Sequence, residues 1–537
     1  MRLSRVFQIQ GETRVAPRRE GSAPVPSARR LVALLALFCL SACAVGPDFE
    51  SPDAPQGAGY GVGGAPRLAQ RLRPGRDVPG EWWRLFRSKQ IEALVAEAVA
   101  NHPDIAAAEA ALRAARETVE ADSASFLPQA TVSGSATRQQ VTTAAYGGLT
   151  SSSSGAAAFR YSLFNANAAV SFTPDVFGKT ARTVEGDEAA AEYQRYQLEA
   201  AVLALTANVV TAAIQDAAYA GQIKATRDLI AAYQQQLDIL DKRLQLGAVT
   251  LADVASERAL LAQAQAGLPP LEKARAQIRN QLMAYLGRLP NADRGESVNL
   301  DSLRLPGDLP LSLPSALVRQ RPDILAAESR LHQASADVGV ATANMFPQLT
   351  LTANGGSQAA SLAQLFTPQT SVYALAAAAS AQAFDAGGLY HRREAKLAAL
   401  EQAEAQYRAA VIVGFQNVAD ALQAIQHDAA ALRAEAAAEK ASAQALDIAR
   451  AQYSAGSTAF PTVLAAEQGL LSARVNRVRA QAARLADSAA LMQALGGGWW
   501  NRVDETPAAR AKPTDPISLI PVVAAIRAEA EETKHAR

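Results

Sequence analysis

Cys43 is the residue whose neighbours most clearly specify a reaction. Leu40-Ser41-Ala42-Cys43 is a lipobox, with small residues placed for cleavage ahead of Cys43 and acylation of its sulfur. Arg29 and Arg30 and the apolar run Leu31–Leu40 supply the basic and hydrophobic parts of an export signal. The run is too short to span a bilayer as a permanent helix. Residues 1–42 are therefore expected to be a signal sequence, with an atypical Arg- and Pro-rich extension ahead of Arg29. Ala44 follows the cysteine where an aspartate would favour inner-membrane retention, so lipidation at Cys43 points to the outer membrane.

Elsewhere the residue types argue against catalysis. No nucleophile elbow, metal triad or phosphate loop stands out, and Gly387-Gly388 alone is a weak signal. Two cysteines leave no disulfide framework or multi-cysteine cluster, and the five histidines are scattered. The expectation is no catalytic residue, no metal and no cofactor beyond the covalent lipid on Cys43. With 52 basic and 51 acidic residues the formal charge is +1, which gives no bulk attraction for nucleic acid. A hydrophobic content of 49% excludes general disorder. Aromatics make up only 6% and alanine nearly a quarter, a composition suited to thin, closely packed helices.

The elements that follow repeat once. Pro103-Asp-Ile-Ala-Ala-Ala-Glu returns as Pro322-Asp-Ile-Leu-Ala-Ala-Glu, and the same interval separates Pro128-Gln129 from Pro347-Gln348. The halves are an internal duplication, divided here as 85–305 and 306–500, after an N-terminal segment 43–84 and before a polar tail 501–537. Each half predicts a helix (Pro103 to about Phe126; about 314–344) and then two weakly hydrophobic, alternating stretches. These are about 129–140 and 161–173 in the first half, and 348–357 and 371–384 in the second. Tyr146 to Ala158 forms a small-residue turn between the first pair. Alternation of small, weakly hydrophobic residues, uncharged after Arg160 through Phe172, is what a membrane-barrel strand looks like.

Long helices follow each pair, over about 182–290 and 388–495. No proline occurs between Pro174 and Pro269, or between Pro368 and Pro461. Leu229, Tyr233, Leu237, Leu240 and Leu244 mark a helical seam of coiled-coil type. The stretch from Arg182 to Leu246 makes a rod of about 100 Å. Pro269-Pro270 is expected to break the returning helix midway, with non-rod structure at that level. Trp82-Trp83 and Trp499-Trp500 suit a membrane belt by type, but their place beside the rods predicts packing at mid-height.

Four strands cannot close a barrel, and an open edge cannot sit in lipid with its backbone unpaired. The reading therefore demands several chains, without choosing their number. A lipid-anchored coiled-coil scaffold with no strands is the competing account.

The joint order of several motifs resembles the outer membrane factor (TolC-like) family, in its NodT-type efflux lipoprotein branch. They are Cys43-Ala-Val-Gly-Pro-Asp-Phe49, Trp82-Trp83-Arg84-Leu85-Phe86, Ser171-Phe-Thr-Pro-Asp-Val-Phe-Gly-Lys179, Arg319-Gln-Arg-Pro-Asp323, Met345-Phe-Pro-Gln348, Phe384-Asp-Ala-Gly-Gly388 and Leu495-Gly-Gly-Gly-Trp-Trp500. The resemblance implies a mixed α and β membrane protein. It would be a homotrimer with a 12-stranded outer-membrane β-barrel, four strands per chain, continued by a long periplasmic α-helical barrel. It implies export of drugs or other small molecules received from an inner-membrane pump of the resistance-nodulation-division class through a periplasmic adaptor. Type I protein secretion is the second reading within that family. The resemblance also places an aperture at the helix tips. Tyr453 and Asp253 match a gating pair, Thr462 and Ala465 occupy positions where relatives often carry pore aspartates, and Glu467 lies near. The turns at Gly247 and Gly456 match the tips that meet the adaptor.

Overall fold

A computed structural model describes residues 44–55, 60–61, 70–142 and 158–502. Cys43, the signal sequence, most of the small-residue turn and the tail after Arg502 lie outside the described residues.

Ser88 caps α1 (Lys89–Asn101) by accepting the Ile91 amide hydrogen, and Pro103 opens α2 (Pro103–Ser123), with His102 Nδ1 accepting from the Asp104 amide. Strands β2 (Gln129–Thr142) and β3 (Ala158–Phe172) follow. The chain then runs through α3 (Lys179–Gln245) and returns on α4 (Leu251–Tyr285). The second half gives α5 (Pro314–Gln320), α6 (Pro322–Ala343), β5 (Gln348–Ala359), β6 (Ser371–Ser380), α7 (Gly388–Ser454) and α8 (Phe460–Ala494). The two halves match in helix length: α3 and α7 each have 67 residues, α4 and α8 each have 35. A short parallel pair, β1 (Arg71–Pro74) with β4 (Asp308–Leu311), ties the N-terminal segment to the linker between halves.

Three expectations need correcting. The helix expected over 314–344 is two helices, because Arg321 takes an extended backbone (ψ 123°) ahead of Pro322. The last strand stops at Ser380 rather than near residue 384. Pro269-Pro270 does not break α4, which runs through both. Both prolines are exposed, as are Gln265 and Ala266, whose carbonyls lose their amide partners and can turn to water. The irregular segment 288–305 docks beyond the prolines, where buried Asp216 of α3 meets Arg275 Nε (2.9 Å), Arg279 Nη1 (3.4 Å) and Ser297 Oγ (3.2 Å).

Strand order is β2-β3-β5-β6, all antiparallel. Partnered residues share a face, so the register sorts the side chains. One face carries the rows Val132-Ala168-Gly355-Tyr373 and Ala130-Val170-Ala353-Leu375. The other carries Thr131-Ala169-Asn354-Ala374 and Ser133-Asn167-Gly356-Val372. The first is apolar and the second largely polar. The apolar face is bare in one chain: Val132, Tyr373 and Leu375 are 88%, 85% and 78% exposed. Among the described residues, strands β2 and β6 end the sheet with unpaired edges.

The main core lies at mid-height of the rods, among α1, the middle of α3, and the ends of α4 and α8. Trp82 and Phe86 are fully buried there. Trp499 Nε1 donates to the Gln320 carbonyl (2.8 Å) and Trp500 Nε1 to Asp77 Oδ1 (3.0 Å). Both tryptophan pairs pack at mid-height, away from the sheet. Helix α3 alone among the described helices is long and apolar enough to cross a membrane. Its most apolar stretch is 56% buried inside the chain, as in a core helix.

Candidate functional site

The far ends of the rods form one compact tip. Both turns end their helix the same way. Gly247 (φ 70°) donates to the Leu244 carbonyl and Ala248 to that of Arg243; Gly456 (φ 73°) donates to Tyr453 and Ser457 to Gln452. This is the Schellman closure, which needs a left-handed residue at the glycine position. The returning helices start differently. Thr250 and Asp253 form a capping box: Asp253 N donates to Thr250 Oγ1 (3.2 Å), and Thr250 N donates to Asp253 Oδ2 (2.9 Å). Helix α8 starts without a side-chain cap but with Pro461 in its first turn, which pre-sets the helical φ.

Behind the turns, all four long helices share an apolar cluster. It joins Tyr233, Leu237 and Leu240 of α3, Val254 and Leu261 of α4, Leu446 of α7, and Phe460, Val463, Leu464 and Leu470 of α8. Tyr453 is half-buried against Phe460, with ring centroids 5.3 Å apart. Leu246 and Leu251 are left bare at the turn, 82% and 68% exposed.

The expected aperture residues fall into two groups. Thr462 and Ala465 are exposed on one side of α8, with Thr462 hydroxyl 3.1 Å from that of Thr458. Tyr453 and Asp253 are at the tip, but among the described residues no hydrogen bond joins the two within one chain. Glu467, whose side of the helix the sequence left open, is buried within the chain. It points inward between helices, its side chain 4% exposed, and its Oε1 accepts from Arg450 Nη2 at 2.8 Å. A glutamate on a polar-looking stretch reads as solvated, which is why its inward side was not legible. Glu257, which the sequence did not mark at all, is also fully buried here.

At the opposite end, the N-terminal segment lies along the junction between sheet and rods. Ala44 abuts Gly178, and Val45 N donates to the Phe177 carbonyl (3.2 Å). Arg182, buried at 4% exposure, holds Asp48 through Nη2 and Glu185 through Nη1 (2.7 Å), while Phe49 stacks on His332 at 4.3 Å. The clamp brings the chain after Cys43 to the end of β3. No group of metal-ligating side chains occurs among the described residues.

One four-stranded sheet stands on two matched pairs of long helices that meet in a single tip. The outer membrane efflux protein family profile matches residues 94–288 and 313–497, and the chain belongs to that family. It is 30% identical over 470 residues to the pyoverdine export outer membrane protein OpmQ of Pseudomonas aeruginosa, covering 86% of this chain and 97% of that one. It is 28% identical over 485 residues to the cation efflux system protein CusC of Escherichia coli, covering 88% and 99%. The solved outer-membrane channel OprN superposes with a TM-score of 0.77 at 26% identity, covering 85% of this chain and 100% of that one. The CmeC channel of Campylobacter jejuni reaches 0.78 at 21% identity, over 87% and 98%, a likeness of fold. The chain is thus an outer-membrane efflux component, extending into the periplasm, as the sequence motifs implied. The efflux names of its relatives favour that reading over protein secretion.

Proposed function

We propose that three copies close a twelve-stranded barrel in the outer membrane and a helical duct beneath it. The duct receives drugs or other small molecules from an inner-membrane pump of the resistance-nodulation-division class through a periplasmic adaptor. Relatives are named for pyoverdine export, toluene efflux and cation efflux, which supports a small cargo. We assign no reaction to the chain.

The sheet carries this proposal. Its apolar face is bare and its β2 and β6 edges are unpaired. Such a sheet is stable in lipid only if its edges meet those of neighbouring copies and its apolar face meets acyl chains. The polar rows Thr131-Asn354 and Ser133-Asn167 then face the lumen. The lipid on Cys43 would enter the bilayer beside the barrel, since Ala44 sits where β3 passes into α3.

At the other end, the tips narrow the duct. Tyr453 of one subunit and Asp253 of the next would hold the aperture, with Thr462 and Ala465 lining it. The turns at Gly247 and Gly456, with bare Leu246 and Leu251 beside the first, offer the adaptor its contact. A phenol–carboxylate bond contributes about 1–3 kcal/mol when charge-assisted, so several per trimer keep the duct mostly shut.

Cysteine pairs placed along β2 and β6 test the assembly. Oxidation in membranes should give covalent trimers for the pairs in register. A ladder that stops at dimers, or no product at any register, would contradict it.

A further inference from the structure

The tip holds a second pair of acidic groups that the aperture does not use. Glu257 lies about two turns past the Thr250 cap, on the stretch of α4 between Val254 and Leu261 that carries the apolar cluster. It is 0% exposed, and neither carboxylate oxygen has a hydrogen-bond partner among the described residues. Two helices bring titratable groups toward it, Tyr233 from α3 and Glu467 from α8, and Arg450 of α7 is bonded to that second glutamate. Arg450 donates to Glu467 Oε1, while Glu467 Oε2 is buried and unpartnered. The cation is thus bonded to Glu467 and not to Glu257. An ionised Glu257 would be a bare charge in a dry seam, the arrangement proteins avoid by keeping the proton. Burial first, and Glu467 second, push the Glu257 carboxyl up from 4.5 to about 7. The Tyr233 phenol is pushed up to about 12, by burial and then by the same two carboxylates.

We infer that Glu257 is a proton-binding site through which periplasmic acidity sets the closure of the helix tips. Protonated, it is a neutral member of the four-helix cluster and the tips stay packed. Ionised, it draws water into the seam and loosens α4 and α8 from α3 and α7.

The direction follows from linkage. In tips that have come apart, Glu257 meets water and titrates near its ordinary 4.5; in packed tips it titrates near 7. Packed tips therefore bind the extra proton between those values. Closure is strongest at the acid end of that window, weakens as pH rises through it, and is level above it. Ten-fold per unit of separation gives a change of about two orders of magnitude in the packed-to-open ratio.

The full-length lipidated protein in lipid nanodiscs tests this by hydrogen exchange of the amides of residues 251–264 and 460–470 at pH 5.5 and pH 8. Rates are corrected for intrinsic base catalysis. Open probability in planar bilayers is measured in parallel. The wild type should open its tips more than ten-fold more often at pH 8. Glu257→Gln, a neutral isostere of the protonated acid, should hold the tips at the acid-side level at both pH values, and Glu257→Met should do the same if the glutamine variant assembles poorly. Asp241→Asn, which removes an exposed partner of Arg258, should leave the response intact. Wild-type tips with the same corrected exchange at both pH values would overturn the inference, as would a Glu257→Gln protein that keeps the full response. The inference leans on the channel reading for conductance alone. A protein whose tip exchange follows pH through Glu257 but which conducts nothing would support this inference and sink that reading.

Discussion

Replacing Arg450 with methionine should spring the tip open. Arg450 Nη2 holds Glu467 Oε1 at 2.8 Å, with the arginine side chain 53% exposed and the glutamate 4%. Methionine keeps most of the aliphatic stem that covers the cluster and removes only the charge. Breaking a fully buried pair costs about 3–5 kcal/mol, mostly from the orphaned charge. The half-exposed arginine lets water screen part of the interaction, which lowers the figure to about 2–3 kcal/mol per protomer. That is roughly a 30- to 150-fold shift of the packed-to-open ratio toward open. Single-channel recording should show a higher open probability, and hydrogen exchange should quicken at the ends of α7 and α8 while the mid-height core stays protected. Adding Glu467→Gln should restore most of the closure, because the orphaned charge is gone. An Arg450→Met channel as closed as the wild type, or a double variant as leaky as the single, would refute the reasoning.

Other consequences are local to the elements they touch. Asp216→Ala takes the buried carboxylate from Arg275 while Arg279 keeps Asp293, and should cost about 2–3 kcal/mol; limited proteolysis should then cut the docked segment 288–305 first. Gly456→Ala forces a left-handed backbone on a residue with a Cβ and should cost about 1–2 kcal/mol, read as faster amide exchange at the turn with an unchanged global melt. Tyr453→Phe combined with Asp253→Ala should raise open probability, and an unchanged conductance would remove that pair from the gate. Cys43→Ser should abolish incorporation of radiolabelled palmitate, and label retained by the variant would place the lipid elsewhere.

The sequence was most legible where its patterns are local. Proline and glycine punctuation located α3 and α7 to within a few residues, and the repeated Pro-Asp-Ile and Pro-Gln motifs located the two halves. The tips were legible because a glycine after a long helix is a specific stop signal. What stayed hidden depends on the third dimension. Each strand alone is a weak alternation of alanine, serine and threonine; only the four-strand register gathers Val132, Tyr373 and Leu375 on one face. The proline pair in α4 follows a local rule that solvent exposure and tertiary packing overrode. Glu257 went unmarked and the side that Glu467 faces was not legible, because a glutamate in a polar-apolar stripe looks solvated, and nothing in the stripe says that four helices converge on it. Arg182 likewise reads as a surface charge until Asp48 and Glu185 close over it.

The central claim is that copies of this chain form a gated duct. The most direct measurement is planar-bilayer conductance of the purified mature protein, with its mass in detergent determined alongside. The account predicts a trimer with small, discrete and mostly closed conductance steps. A monodisperse assembly with no conductance and no strand signal by circular dichroism would contradict it, and would leave a lipid-anchored helical scaffold in its place.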